Sequence, residues 1–201
     1  MQTILCLTGI DGCGKGTHVS LLLERLQREG IPAFYSKAYS DLEKERFAFL
    51  MPRYSDRAVM FLFQAFHAEQ YVRAMEALER GEVVIADRWD EAYLAYHGST
   101  RSFLSAEDLR AEFRLLNQLA FQGRKPTRTV MLDVPVDVAE KRTHERGPDY
   151  FDKLGSHYHA LMRDRYLCLA RSESWIVLDG THPVEDVHEQ LWDILVAAIS
   201  S

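Results

Sequence analysis

Gly9-Ile10-Asp11-Gly12-Cys13-Gly14-Lys15-Gly16-Thr17 reads as a phosphate-binding loop. A short apolar run over residues 2–8 precedes it and has the look of a buried strand. After it, Val19, Leu22, Leu23 and Leu26 fall at helical spacing until Gly30 stops the helix. Glycines let successive backbone N–H groups turn inward around phosphate oxygens, the helix N-terminus adds positive partial charge, and Lys15 can reach the β and γ phosphates. A glycine-rich turn of no function has no need of a strand before it and an amphipathic helix after it. The pattern asks for Ser or Thr directly after the lysine. Here Gly16 stands there with Thr17 next, so the usual magnesium-ligating hydroxyl is missing.

Working outward, residues 33–37 form a second strand candidate, and residues 39–56 are mixed, charged and carry no readable period. The spacing predicts a long helix over 59–80, ending before Gly81. A strand over 82–86 then delivers Asp87 and Arg88 at its C-terminal end. Residues 107–121 look helical, 128–133 are a β-rich run, and Pro135 starts a helix where proline is tolerated. A helix over 150–170, a last strand over 175–178 and a terminal helix opened by Pro183 complete a β-α unit repeated five times. Such alternation predicts the three-layer α/β sandwich of P-loop proteins, with about five parallel strands, helices on both faces and ligands at the carboxyl ends of the strands. Residues 1–201 are expected to be one domain, since no repeat, low-complexity tract or linker divides them.

With 47% hydrophobic and 27% charged residues the composition is that of a soluble globular protein, and no apolar run approaches the ~18 residues of a membrane span. The first residues lack the basic and apolar regions of a signal peptide, so a cytoplasmic location is expected. Cys6, Cys13 and Cys168 form neither a C-x-x-C pair nor an even framework, which argues against disulfides and zinc. A formal net charge of −6 argues against a nucleic-acid polymer as partner and leaves room for a local basic pocket.

Two further clusters carry chemistry. Residues 83–89, V-V-I-A-D-R-W, end a strand with a carboxylate and a guanidinium facing one crevice. Asp87 can organise magnesium or its waters, and the planar fork of Arg88 suits a phosphate. Residues 141–150, K-R-T-H-E-R-G-P-D-Y, gather cations beside a glycine-proline hinge, as a mobile lid over about 142–150 would. Its closure would bring Arg142 and Arg146 over the phosphates. Each cluster also has a plain reading, a surface salt bridge for the first and a solvated helix end for the second.

Together with L-D-V-P at 132–135, D-R-W-x-x-x-x-x-A-Y at 87–96, and D-Y-F-D through M-R-D-R-Y-L-C-L-A at 149–170, these segments resemble the thymidylate kinase family over nearly the whole chain. The resemblance implies an ATP-dependent nucleotide kinase with Mg2+ as cofactor, a small phosphate-bearing acceptor, a homodimer and no membrane. The family reaction converts dTMP and ATP to dTDP and ADP. It further implies that residues 9–17 hold the ATP phosphates and that Asp179, Gly180 and Thr181 lie near the donor adenine. Asp11 would approach the acceptor sugar, Phe63 stack on its base, Arg88 grip its monophosphate and Tyr96 line the base pocket. Arg142 and Arg146 would supply the catalytic cation alongside Lys15. Asp87, with Thr17, would face the metal.

The departures gather in the acceptor site. Lys37 stands where the family has the arginine of R-E-P, His67 replaces a base-contacting arginine, Ala92 replaces a serine and Tyr150 an arginine. Phe63 and His67 are four positions apart, so on a helix they share a face. Loss of acceptor arginines keeps a deoxynucleoside or other small-molecule kinase in view, with Asp90 or Glu91 as base for a hydroxyl acceptor. Gly16 and the altered acceptor site also keep a non-catalytic nucleotide-binding module in view. Lys15 is expected in a solvent-facing loop. Cys13, before a helix N-terminus and near Lys15, is expected to react with alkylating agents and to be protected by ATP.

Overall fold

The computed structural model describes residues 2–97, 106–146 and 155–201. Five strands, β1 (Ile4–Thr8), β2 (Ala33–Lys37), β3 (Val83–Asp87), β4 (Arg128–Asp133) and β5 (Ile176–Asp179), form one parallel sheet in the order β2-β3-β1-β4-β5. The helices are α1 (Lys15–Arg28), α2 (Asp41–Leu50), α3 (Asp56–Glu79), α4 (Glu91–His97), α5 (Ala106–Phe121), α6 (Val136–Arg146), α7 (Ser156–Ser172) and α8 (Val184–Ser200), with a 3-10 turn at Met51–Arg53.

The three-layer arrangement follows from β1, which is buried on both faces. Alternation sends Leu5 and Leu7 into one core with Leu22 and Leu26 of α1, Met162 of α7 and Leu191 of α8. Ile4 and Cys6 face the opposite core with Ala74 and Ala77 of α3 and Phe121 of α5. Because every pairing is parallel, Thr8, Lys37, Asp87, Asp133 and Asp179 all end on one edge of the sheet. The chain leaves β1 at the point where its neighbours β3 and β4 lead off in opposite directions, and a crevice opens there by construction.

β2 and β4 occupy the residues expected from sequence, whereas β1 starts at Ile4, and β3 and β5 run one residue later. The unreadable segment over 39–56 holds α2. Phe47 points inward while Leu42 and Phe49 are exposed, so its apolar residues make no single stripe and show no period. α4, with seven residues, is too short to show one. The helix expected over 150–170 is α7, beginning at Ser156, and residue 150 lies outside the described residues. Of the expected lid over 142–150, residues 142–146 close α6, and residues 147–150, Tyr150 included, lie outside the described residues. Among the described residues no helix is long and apolar enough to cross a membrane.

Candidate active site

The phosphate loop crosses from β1 to α1. Gly9 and Gly12 have φ of 133° and 82°, which disfavour any side chain, and space forbids one as well. A Cβ on Gly12 would run into the Ala139 carbonyl of α6, and one on Gly9 would sit 2.6 Å from the Leu132 carbonyl. Ile10 and Cys13 turn into the core, while Asp11, Gly12, Gly14, Lys15, Gly16 and Thr17 line a cavity of about 520 Å³. Lys15 is buried, contrary to the solvent-facing position expected from sequence. Its Nζ donates to the carbonyls of Gly9 at 2.9 Å and Ile10 at 3.0 Å. An ammonium that reaches back to its own loop satisfies its hydrogen bonds locally and stays poised at the cavity wall. Cys13 is 1% exposed, so the expected easy alkylation is overturned by burial. A Cβ on Gly16 would meet nothing within 4 Å outside its own helix among the described residues.

Arg88 is the best-restrained side chain of the site. Its backbone lies in the left-handed region at φ 64°, a conformation that costs a non-glycine residue about 1 kcal/mol or more. The surroundings hold it there. Its N–H donates to Leu7 O at 3.0 Å, its carbonyl accepts from Gln70 Nε2 at 3.0 Å, and the next N–H, of Trp89, donates to Glu91 Oε2 at 2.9 Å. The twisted backbone aims the guanidinium back over the loop. There Nη2 pairs with Asp11 Oδ1 at 2.9 Å and donates to Gly9 O at 3.2 Å, and Nε donates to the Tyr166 hydroxyl at 3.3 Å. Beside it, Asp87 Oδ2 accepts from Tyr35 at 3.3 Å, and Asp87 Oδ1 is buried with no hydrogen-bond partner among the described residues. Lys37 is paired in register with Asp87 and also lines the cavity.

The far end of the cavity is aromatic. Phe63 and His67 both line it, as their shared helical face requires, with Gln70 one turn on. His67 is 5% exposed and packs its ring edge-on to Phe121 of α5 at 5.4 Å, so its ring is a wall held from behind. Tyr93 of α4 closes the floor, its hydroxyl 3.4 Å from Met60 Sδ. Tyr96 lies in the same helix, but its side chain is outside the described residues, as is that of Arg146 at the end of α6.

Arg142 lines the cavity and donates to the Gly180 carbonyl at 3.1 Å and the Gly12 carbonyl at 3.5 Å, tying α6 to both the phosphate loop and the end of β5. Asp179, Gly180 and Thr181 stand outside the cavity. Asp179 Oδ1 accepts from the Thr181 N–H at 2.8 Å and its hydroxyl at 2.6 Å. A Cβ on Gly180 would meet Cys13 O at 3.1 Å, so this turn supports the loop through its backbone.

Neither candidate base for a hydroxyl acceptor reaches the cavity, which corrects that expectation. Asp90 is buried against Asn117 at 2.5 Å and Lys125 at 2.7 Å, with its pKa raised chiefly by burial. Glu91 lies under β1 and β3 beside Cys6. Burial first and the neighbouring Asp90 charge second push it up to about 7. Sequence reasoning also missed Gln70, Tyr93 and Tyr39 as lining residues, and Tyr166 as the hydroxyl behind Arg88. Extending the Phe63–His67 face by three residues reaches Gln70. Nothing local marks Tyr166, which arrives from α7.

A family model described as thymidylate kinase matches residues 7–191. The chain belongs to the thymidylate kinase family. It is 32% identical over 188 residues to the thymidylate kinase of Fervidobacterium nodosum, covering 91% of this chain and 93% of that one. To the thymidylate kinase of Symbiobacterium thermophilum it is 32% identical, covering 95% and 91%. To that of Desulfovibrio desulfuricans it is 33% identical, covering 89% and 88%. Members of the thymidylate kinase family are phosphotransferases, and a loop, an arginine and an aromatic wall around one cavity are parts such an enzyme needs.

Proposed function

We propose that this chain is a single P-loop kinase domain that moves the γ-phosphoryl group of ATP directly onto the phosphate of a deoxynucleoside monophosphate, with thymidine monophosphate the first acceptor that family membership suggests. The observation that carries this reading is one continuous cavity of about 520 Å³ that runs from Lys15 and Thr17, past the Asp11–Arg88 pair, to Phe63 and His67. Donor phosphates would take the loop amides and Lys15, which would exchange its bonds to the Gly9 and Ile10 carbonyls for phosphate oxygens. Arg88, with its fork already oriented, would hold the acceptor phosphate at the midpoint, and Phe63 would carry the base.

The unpartnered Oδ1 of Asp87 supports magnesium at this site, since a buried carboxylate oxygen without a donor is satisfied by a cation or its water. Bound there with ATP, Mg2+ would neutralise phosphate charge. Thr17 is the nearest loop hydroxyl in sequence, and the open space over Gly16 leaves room for water. Arg142, already against Gly12, and Arg146, both within the lid over 142–150, would add charge where the transferring group develops it. An ionised phosphate acceptor needs no general base, which agrees with Asp90 and Glu91 standing away from the cavity.

The proposal extends to a cytoplasmic homodimer by family resemblance, supported by Phe61 and Val72 on α3 and Leu115 and Leu119 on α5, all exposed. Light scattering on the purified protein tests the assembly. The activity is tested by a panel of nucleosides and monophosphates with Mg-ATP, scored for ADP and phosphorylated product, with Lys15→Ala as control. Transfer to monophosphates alone, reduced at least 100-fold in the control, supports the reading. Transfer to nucleosides alone, or to no acceptor, overturns it.

A further inference from the structure

The chain leaving β2 has little of the sheet to guide it. β2 is an edge strand, its register with β3 ends at Lys37 opposite Asp87, and among the described residues no strand continues beside it. Yet Lys37, Ala38 and Tyr39 all line the cavity. α3 ties this stretch down instead. Arg73 Nη2 donates to the Lys37 carbonyl at 3.3 Å and to the Ala38 carbonyl at 3.4 Å, while its Nε donates to the Glu69 carbonyl one turn back at 3.4 Å. Gln70, three residues earlier and itself lining the cavity, adds a bond from Nε2 to the Ser36 carbonyl at 3.5 Å. Three consecutive carbonyls, of residues 36–38, therefore accept from two side chains of one helix. Arg73 itself does not line the cavity, and its ion pair with Glu69 at 3.9 Å joins two exposed side chains and contributes little.

We infer that Arg73 is a positioning residue for the acceptor phosphate: by holding the Lys37 and Ala38 carbonyls from outside the cavity, it fixes where Lys37 stands within it. This rests on the reading of the cavity as a monophosphate site with Lys37 at its phosphate end. A lysine is a point charge on a flexible stem, so the place its ammonium takes depends on how firmly its backbone is held. Backbone beyond the last strand pairing shifts unless its polar groups are tied, and ordering it only when the acceptor binds would cost affinity. A guanidinium suits the task. It anchors through Nε on its own helix and spans the two carbonyls with Nη2, and its charge makes those bonds stronger than an amide would. One helix would then serve both ends of the acceptor, with Phe63 and His67 toward the base and Arg73, through Lys37, toward the phosphate.

The test compares Arg73→Met, which keeps the apolar stem and removes the donors, with Lys37→Met and with the double variant, all in the full chain. KM for thymidine monophosphate, or for the best acceptor of the panel, is set beside the inhibition constant of the matching nucleoside, which carries no phosphate. ATP KM, kcat and thermal midpoint are measured alongside. From the worth of one or two hydrogen bonds, Arg73→Met is expected to raise monophosphate KM about 3- to 10-fold and to leave nucleoside inhibition and ATP KM within about twofold. Lys37→Met is expected to raise monophosphate KM at least as far, and Arg73→Met to add less than about twofold once Lys37 is methionine. Equal monophosphate KM for Arg73→Met and the parent overturns the inference. So does an equal loss for monophosphate and nucleoside, full additivity with Lys37→Met, or loss of folded protein in Arg73→Met. If Lys37→Met itself leaves monophosphate KM unchanged, the phosphate end of the site is misassigned and the inference falls with it. An effect of Lys37 without one of Arg73 sinks the inference alone.

Discussion

Glu91 should make the protein less stable as pH rises from about 4.5 to about 7. The carboxyl is 3% exposed, accepts the Trp89 N–H at 2.9 Å, and has its pKa moved from an ordinary 4.5 to about 7, by burial first and by Asp90 second. Burial raises the Asp90 pKa and Lys125 at 2.7 Å pulls it back down. Between the two pKa values the folded protein holds a proton that the unfolded chain has released, and stability falls with pH wherever the native state binds more protons. The contribution is fully present below about 4.5 and lost as pH passes about 7, and the displacement corresponds to about 3 kcal/mol. Glu91→Gln keeps an acceptor for Trp89 and removes the titration. Its unfolding free energy minus that of the parent, from urea melts at intervals from pH 4 to pH 8.5, should therefore rise by about 3 kcal/mol and then level off. Taking the difference cancels carboxylates such as Glu82 and Asp179, whose pKa values are lowered and whose effect has the opposite sign. A difference flat to within about 0.5 kcal/mol would refute the buried, protonated Glu91. It would also remove the account of how the Trp89 amide, and with it the Arg88 turn, is held.

Gln70→Leu leaves the Arg88 carbonyl without its donor and should lower stability by about 1–3 kcal/mol in urea melts, while raising acceptor KM more than ATP KM. His67→Arg, placing a permanent donor at a wall now formed by a ring packed on Phe121, should raise thymidine monophosphate turnover relative to other monophosphates. The acceptor panel run on both proteins measures this, and an unchanged ranking removes His67 from specificity. Native protein treated with iodoacetamide should take up label at Cys168, the exposed thiol, while Cys6 and Cys13 react only after denaturation. Peptide mass spectrometry reads the sites, and rapid labelling of Cys13 in the folded protein contradicts its burial.

Sequence alone established the parts whose physics is local. The glycines of residues 9–17, the strand before them and the helix after them identify the phosphate loop, since backbone curvature and helix polarity are set by neighbours in the chain. Strands β1 and β3 were legible because parallel strands buried on both faces are short continuous apolar runs. The shared face of Phe63 and His67 followed from the pitch of one helix. Tertiary structure decided whatever depends on a partner from another element. Gly12 is barred from carrying a side chain by a carbonyl of α6, Arg88 is held by Leu7, Gln70 and Glu91, and Lys15 is buried because the loop closes over it. Asp90 and Glu91 sit beside Arg88 in sequence yet do not line the cavity, because Asp90 is taken by Asn117 and Lys125 and Glu91 packs against Cys6. The partner of Phe47 was not readable, since the ring it stacks on lies sixteen residues away. Periodicity records which face of an element is apolar, and only the packed chain fixes which groups from distant segments meet there.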